Sequence, residues 1–222
     1  IQAAFGLADL RFDAPAHPGH QMRVQLADRA LINTNPLIDV AARLVALAAG
    51  RASVSELLDL AAAAPVRRKF AFDDKDLDRI TTWSRQAAIR WGLDGEHRGD
   101  YLLEGESANT WYVGLTRLLL GVTREEDPNR RYDRVLPLDD VDSGEIDLAG
   151  ALVEFVERFA SFRADITAAR TAAEWMGAIR EAVAALADVP LDEAWQRAEL
   201  DRELALVTEA SGGDLPLTHS DI

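Results

Sequence analysis

Apolar residues recur at helical spacing over most of this chain, and polar residues with capping chemistry stand at the starts of those runs. Asn35 followed by Pro36 opens one such run, with Leu37, Val40, Ala41, Leu44 and Leu47 on a single stripe that ends at Gly50. A side-chain acceptor before a proline at the first helical position satisfies orphan N–H groups and presets φ. Ser53 and Glu56 form a capping box for the next run, Val54, Leu57, Leu58, Ala61 and Ala62, which Pro65 is expected to end. Asp73 caps a third, with Leu77, Ile80, Ser84 and Ala87 on one face and Trp83 at its edge, and Gly92 as its stop. Asn109 is read as the cap of a fourth, carrying Trp111, Leu115, Leu118, Leu119 and Val122. The stretch from Val66 to Gly121, two helices joined through an aromatic-bearing corner, organises the chain.

Beyond it, Thr123 to Leu138 reads as a charged loop turning at Asp127-Pro128-Asn129. A long helix from about Gly144 to Ala169 is apolar on more than one stripe, which predicts neighbours on two sides. Thr171 with Glu174 boxes a helix bearing Trp175, Ile179, Val183 and Leu186. Asp192 is read as the cap of the last helix, with Trp195, Leu200, Leu204 and Val207, and Gly212-Gly213 ends it. Trp83, Trp111, Trp175 and Trp195 are all expected in the core. Only Met22 to Leu26 alternates apolar and polar, which predicts one short strand.

The fold class read from this pattern is all-α, an irregular domain of about seven helices with one short strand near the N-terminus. Residues 1–34 are read as a connecting segment, 35–213 as the helical domain and 214–222 as an extended tail. Ile1 in place of Met, and Ser220 poised to cap a helix that does not follow, suggest a segment of a longer chain.

Composition narrows the chemistry. With 222 residues a real core is affordable, and with no Cys neither disulfides nor thiolate metal sites hold it, as suits a reducing cytoplasm. No apolar run approaches the roughly 20 residues of a membrane span. A net charge of −14 argues against an autonomous nucleic-acid binder, since DNA affinity rests on neutralising phosphates. Pro65 to Arg98 is the exception, with eight Lys or Arg against six Asp or Glu, a balance of +2. Within it Arg67, Arg68 and Lys69 form a basic knuckle, and Arg90 lies beside Trp91. These four are the candidate DNA contacts; salt bridges to Asp73, Asp74 and Asp76, and packing of Arg90 on the indole, are the structural alternatives.

Other motifs fail on inspection. Aligning Gly144 with the invariant glycine of a calcium loop puts Val141 at the third ligand and Gly150 at the twelfth, where carboxylates are needed, so Asp139 to Asp147 reads as an acidic helix start. His17 and His20 lack the further ligands of a zinc site. No Walker or nucleophile-elbow motif occurs, and no catalytic residue, metal ligand or cofactor is nominated.

The runs Val66-Arg67-Arg68-Lys69-Phe70, Ile89-Arg90-Trp91-Gly92-Leu93-Asp94, Asn109-Thr110-Trp111 and Leu118-Leu119-Leu120-Gly121, in that order, resemble the central region of the RecC family, the gamma subunit of exodeoxyribonuclease V. Leu26-Ala27-Asp28-Arg29 with Asn35-Pro36-Leu37, and Asp139 to Glu145, are similar as well, so the resemblance spans roughly residues 20 to 205. It implies a non-catalytic part of the ATP-dependent helicase–nuclease that processes double-strand DNA ends for recombination. In that family the gamma subunit resembles a superfamily 1 helicase without its ATPase motifs; it holds the complex together and guides a strand past the Chi-reading channel. The segment resembles the helical subdomain inserted in the second motor-like domain. Other subunits are the implied partners, with DNA met through the whole subunit. No functional residue of the family maps onto a position here, and the loop from Asp94 to Ala108 departs from its pattern. A stand-alone helical adaptor that binds protein and no DNA is the alternative.

Overall fold

The computed structural model describes residues 34–122, 136–138 and 141–210. Among them are nine α-helices, two 3-10 turns and no β-strand, so the chain is all-α where described. The strand predicted at Met22 to Leu26 lies outside the described residues, as do His17, His20 and Gly212-Gly213.

Helix α1, Pro36–Ala49, starts as its cap dictates: Asn35 Oδ1 accepts from the N–H groups of Leu37 and Ile38 at 3.0 and 3.4 Å. The same side chain donates to Gln196 O and Glu199 Oε2, so a local cap also bolts α1 to the far end of the chain. Helix α2, Val54–Ala61, carries the Ser53/Glu56 capping box. Pro65 then behaves differently from expectation. It stands in the first turn of a further helix, α3, Ala64–Phe70, where its missing N–H costs nothing, and the basic knuckle is the last turn of that helix.

Helix α4, Asp74–Gln86, has the predicted Asp73 cap, strengthened by Asp76 returning to the Asp73 N–H. The Asp76 N–H holds the Asp73 carboxyl below its ordinary pKa. The helix stops before Gly92: Ala88 takes the left-handed conformation, φ 57°, in the glycine's stead, at a cost of roughly 1–2 kcal/mol. Gly92, φ 80°, serves a separate turn. Helix α5, Gly95–Gly99, is one turn inside the stretch read as a loop. Helix α6, Trp111–Val122, is capped by Thr110, whose Oγ1 accepts from Val113 N at 3.5 Å, while the expected cap Asn109 lies outside the helix at φ 64°.

The long helix α7, Ile146–Ala168, follows a 3-10 turn, Ser143–Glu145. Helix α8, Ala172–Leu186, keeps the Thr171/Glu174 box. Before helix α9, Trp195–Ala210, Asp192 falls inside a 3-10 turn, Leu191–Glu193, and caps nothing. Trp195 is 51% exposed, against the expected core position, whereas Trp83, Trp111 and Trp175 are buried.

Helix α7 runs against α8 on one side and α6 and α1 on others, and α9 closes over α8 and α1. Phe155 of α7 meets Phe70 edge-on at 5.4 Å and Phe72 at 6.3 Å, so α3 and its following turn are clamped to the central helix. Full burial of such side chains stabilises by roughly 1.5–3 kcal/mol each. A bidentate ion pair, Arg79 Nε and Nη2 to Glu145 Oε1 and Oε2 at 2.6 and 2.8 Å, ties α4 to the start of α7. Leu136 to Leu138 lies along α6: Arg117 Nε donates to Leu136 O, and a Cβ on Gly121 would stand 2.2 Å from Leu138 O. No helix among the described residues is long and apolar enough to cross a membrane.

Candidate nucleic-acid interface

The corner between α4 and α6 is stitched by three short segments that sequence distance separates. Gly92 N donates to Arg51 O at 2.8 Å and Val54 N to Arg90 O at 3.1 Å. Arg90 N donates to Asn109 O, and Trp111 and Tyr112 N to the carbonyls of Gly92 and Leu93. At the centre Trp111, fully buried, donates Nε1–H to Ala52 O at 3.0 Å, which satisfies a carbonyl at a buried left-handed residue.

Around this knot the polar side chains are structural. His97 is 2% exposed; its Nδ1 accepts from Leu93 N at 3.1 Å, so its proton resides on Nε2 and faces Gly50 O at 3.2 Å. Burial lowers its pKa, and the Arg163 charge adds to this. A folded pKa below the unfolded value means that the unfolded chain takes the proton first. The His97 contribution is therefore complete above the ordinary value of 6.5 and is lost as pH falls from there through the lowered folded value. Urea midpoints at pH 7.5 and 5.5 should show a larger acid loss for the native chain than for His97→Gln; equal losses would contradict the assignment.

Arg98, 7% exposed, donates to Glu106 O at 3.1 Å and Trp91 O at 3.0 Å and lies 4.5 Å from the Trp91 ring centroid. Gly92 accommodates it: a Cβ there would meet Arg98 Cγ and Nε at 3.1 Å. Arg51 lies over Trp91 and Tyr101, at 5.4 and 5.2 Å. Arg163 of α7 pairs with Asp100. Sequence reasoning nominated none of Arg51, Arg98 and Arg163, because only tertiary pairing of 51–54 with 90–92 brings Arg51 to the indole. Arg90 makes no such stack; Arg51 and Arg98 occupy the role expected of it.

The four candidate DNA contacts differ in how they are engaged. Arg67 is engaged internally, Nε to Phe72 O at 3.0 Å and Nη1 to Asp74 Oδ1 at 2.8 Å, the latter one of the anticipated salt bridges. Arg68 reaches Asp188 O at 3.1 Å after α8. Lys69, in the same turn, is exposed, and Arg90 is exposed on the corner, away from that turn in the chain. Among the described residues no group of three or more His, Asp or Glu side chains converges as a metal site. A cleft of about 470 Å³ opens between α1 and α9, its lining apolar apart from Glu203 and including Ile38, Val45, Leu204 and Val207.

Comparison with known proteins bears on what such a corner belongs to. The family described as RecBCD enzyme subunit RecC, fourth domain, matches residues 34–222. The chain belongs to the RecC family. Its similarity to the RecBCD enzyme subunit RecC of Mycobacterium tuberculosis (strain CDC 1551 / Oshkosh) is 48% identity over 96% of the chain, and to that of Mycolicibacterium smegmatis 46% over 96%. The Escherichia coli RecC subunit is 26% identical over 82%. The chain spans 19% of the length of the M. tuberculosis relative and 15% of the E. coli one. The order of short runs that resembled RecC thus reflects membership. The two middle runs, Ile89 to Asp94 and Asn109 to Trp111, are two of the hydrogen-bonded segments of the corner described above.

Proposed function

We propose that this chain is a non-catalytic building block of the RecC subunit of a RecBCD-type helicase–nuclease, an assembly that processes DNA double-strand breaks for recombinational repair in the cytoplasm. It contributes surface to other subunits and a wall beside the DNA path, in the manner of a helical subdomain inserted in a helicase-like protein. The RecC membership over residues 34–222 carries this reading. The site geometry agrees with a passive role: of the four candidate contacts Arg67 and Arg68 are engaged by an internal carboxylate or carbonyl, Arg98 and Arg163 beside them in the corner are likewise engaged, and Lys69 and Arg90 are exposed at different places in the chain.

A chain of −14 net charge releases few counterions on meeting phosphates, so the chain alone should bind single-stranded DNA no better than roughly micromolar at physiological salt. A submicromolar dissociation constant by fluorescence anisotropy would refute this. Within the full complex, each of Lys69→Ala and Arg90→Ala that removes a phosphate contact should reduce the log–log salt slope by about 0.7–0.9. A second reading, a helical protein–protein adaptor without DNA contact, draws on the apolar α1/α9 cleft. It predicts no change in salt slope for either variant.

A further inference from the structure

His97 fastens a segment that is otherwise closed on itself. From residue 94 to residue 109 only His97 and Arg98 are buried, and Arg98 spends its hydrogen bonds on Trp91 O and Glu106 O, next to and within the same segment. Asp94 Oδ1 accepts from His97 N at 2.8 Å, and Glu106 N donates to Leu103 O at 3.2 Å. Leu102, at φ 63°, closes helix α5 in the manner of a Schellman turn, its N–H donating to Gly99 O and that of Leu103 to Arg98 O, both at 3.0 Å. A Cβ on Gly95 would stand 3.3 Å from Gly105 C, so the two limbs of the loop lie against each other. The roots of the segment are left-handed residues, Gly92 at φ 80° and Asn109 at φ 64°.

The segment's side chains reach out of it at three places. Asp100 pairs with Arg163 of α7, but the Asp100 carboxylate is 60% exposed, and ion pairs in water contribute little. Tyr101 packs edge-on against Trp91 at 5.4 Å and lies under exposed Arg51 at 5.2 Å. His97 is the buried tie: Nε2–H faces Gly50 O at the end of α1 while Nδ1 accepts from Leu93 N at 3.1 Å. A proton on Nδ1 would set two donors against each other there. The charged groups around the ring are Asp94, Arg98 and Asp100 on its own element, Arg163 on α7, and Arg51 beside Gly50. Asp94 already accepts from a backbone N–H and Asp100 already pairs with Arg163, so an imidazolium gains no free carboxylate and must reach water instead.

We propose that residues 94–108 are a flap, hinged at Gly92 and Asn109, latched onto the end of α1 by neutral His97 and released by a proton on its Nδ1. Opening carries Tyr101 off Trp91 and Arg51 and leaves the core around Phe155 of α7 closed, a local rather than a global transition. The proposal rests on contacts within the chain and holds for either functional reading. Amide exchange of the chain at pH 7.5 and 5.5, corrected for the intrinsic pH dependence of exchange, tests it. A ring of ordinary pKa 6.5 that must be neutral in the latched state raises the opening constant by up to about tenfold between those two values. Leu93 N–H should lose protection by about that factor, while residues 155–162 of α7 should not follow. His97→Gln and His97→Asn put a group there that does not titrate, so each should show the same Leu93 protection at both pH values. Equal loss at 155–162 overturns the flap, because the whole domain then opens together. Unchanged Leu93 protection in the native chain, or the same acid loss in both variants, overturns the latch. The ring reports independently of any variant: its 15N shifts should show an unprotonated Nδ1 at pH 7.5, and a ring that takes its proton with Leu93 still protected overturns the proposal.

Discussion

Replacing Trp111 by Ala is expected to cost about 3–5 kcal/mol of folding stability, the range for deleting a large aromatic from a closed core. The magnitude follows from three terms that act together. Trp111 is fully buried, so its apolar surface is lost from the core and a cavity remains. Its Nε1–H is the partner of Ala52 O at 3.0 Å, and that carbonyl belongs to a buried residue at φ 49°. Without the indole the carbonyl is left unsatisfied, which by itself costs about 1–3 kcal/mol. Trp111→Phe separates the terms: it keeps most of the volume and loses only the bond, so it should fall between wild type and Trp111→Ala. Trp195→Ala is the control, because a half-exposed residue outside any buried network changes stability by about 0.5 kcal/mol or less. Urea midpoints for the three variants check the order; a Trp195→Ala loss equal to that of Trp111→Ala would contradict it.

The same contrast shows what the sequence made legible. Caps read correctly where one side chain and one spacing decide the matter, as at Asn35, Ser53, Asp73 and Thr171. They failed where two capable residues adjoin, since Asn109 and Thr110 both suit a cap and only the turn before α6 selects Thr110. Pro65 failed for a related reason: proline both ends a helix and opens one, and nothing local says which. Trp195 was misplaced because it does not share the face of Leu200 and Leu204, with which it was grouped. At about 100° per residue it lies roughly opposite Leu204, which α9 buries together with Leu200 and Gln196.

The site was less legible than the fold. Basic residues clustered in sequence, Arg67 to Lys69, were conspicuous, yet two of the three are occupied by Phe72, Asp74 and Asp188. The residues that build the corner, Arg51, the His97-Arg98 pair and Arg163, come from three separate places in the chain and carry no shared period. Leu102 was visible only as one leucine in a polar loop; its left-handed backbone emerges from the closure of α5, a helix too short to announce itself.

Gly114→Ala sets two effects against each other, and magnitudes decide the outcome. Gly114 lies inside α6, where alanine is favoured over glycine by about 1 kcal/mol, so propensity alone predicts stabilisation. The packing predicts the reverse. A Cβ at Gly114 would stand 2.2 Å from Ile89 Cγ1 and 2.5 Å from its Cδ1, with Ala87 Cβ at 3.6 Å, so the whole Ile89 side chain must be displaced. Ile89 is 7% exposed, and its backbone N–H is held by Ser84 O at 2.9 Å, which leaves it little room to yield. Overpacking of this kind costs about 1–3 kcal/mol, which outweighs the propensity gain in most of that range. The expected result is a net loss of up to about 2 kcal/mol, with the m value unchanged. Ile89→Ala supplies the decisive cycle. It costs about 2–5 kcal/mol alone, but it removes the obstacle, so Gly114→Ala in that background should become neutral or stabilising by up to about 1 kcal/mol. If Gly114→Ala destabilises equally in both backgrounds, the close approach of α6 to the 87–93 turn is not what selects glycine here. The approach matters beyond stability, because that turn carries Arg90 and Trp91, and its distance from α6 sets where the corner presents them.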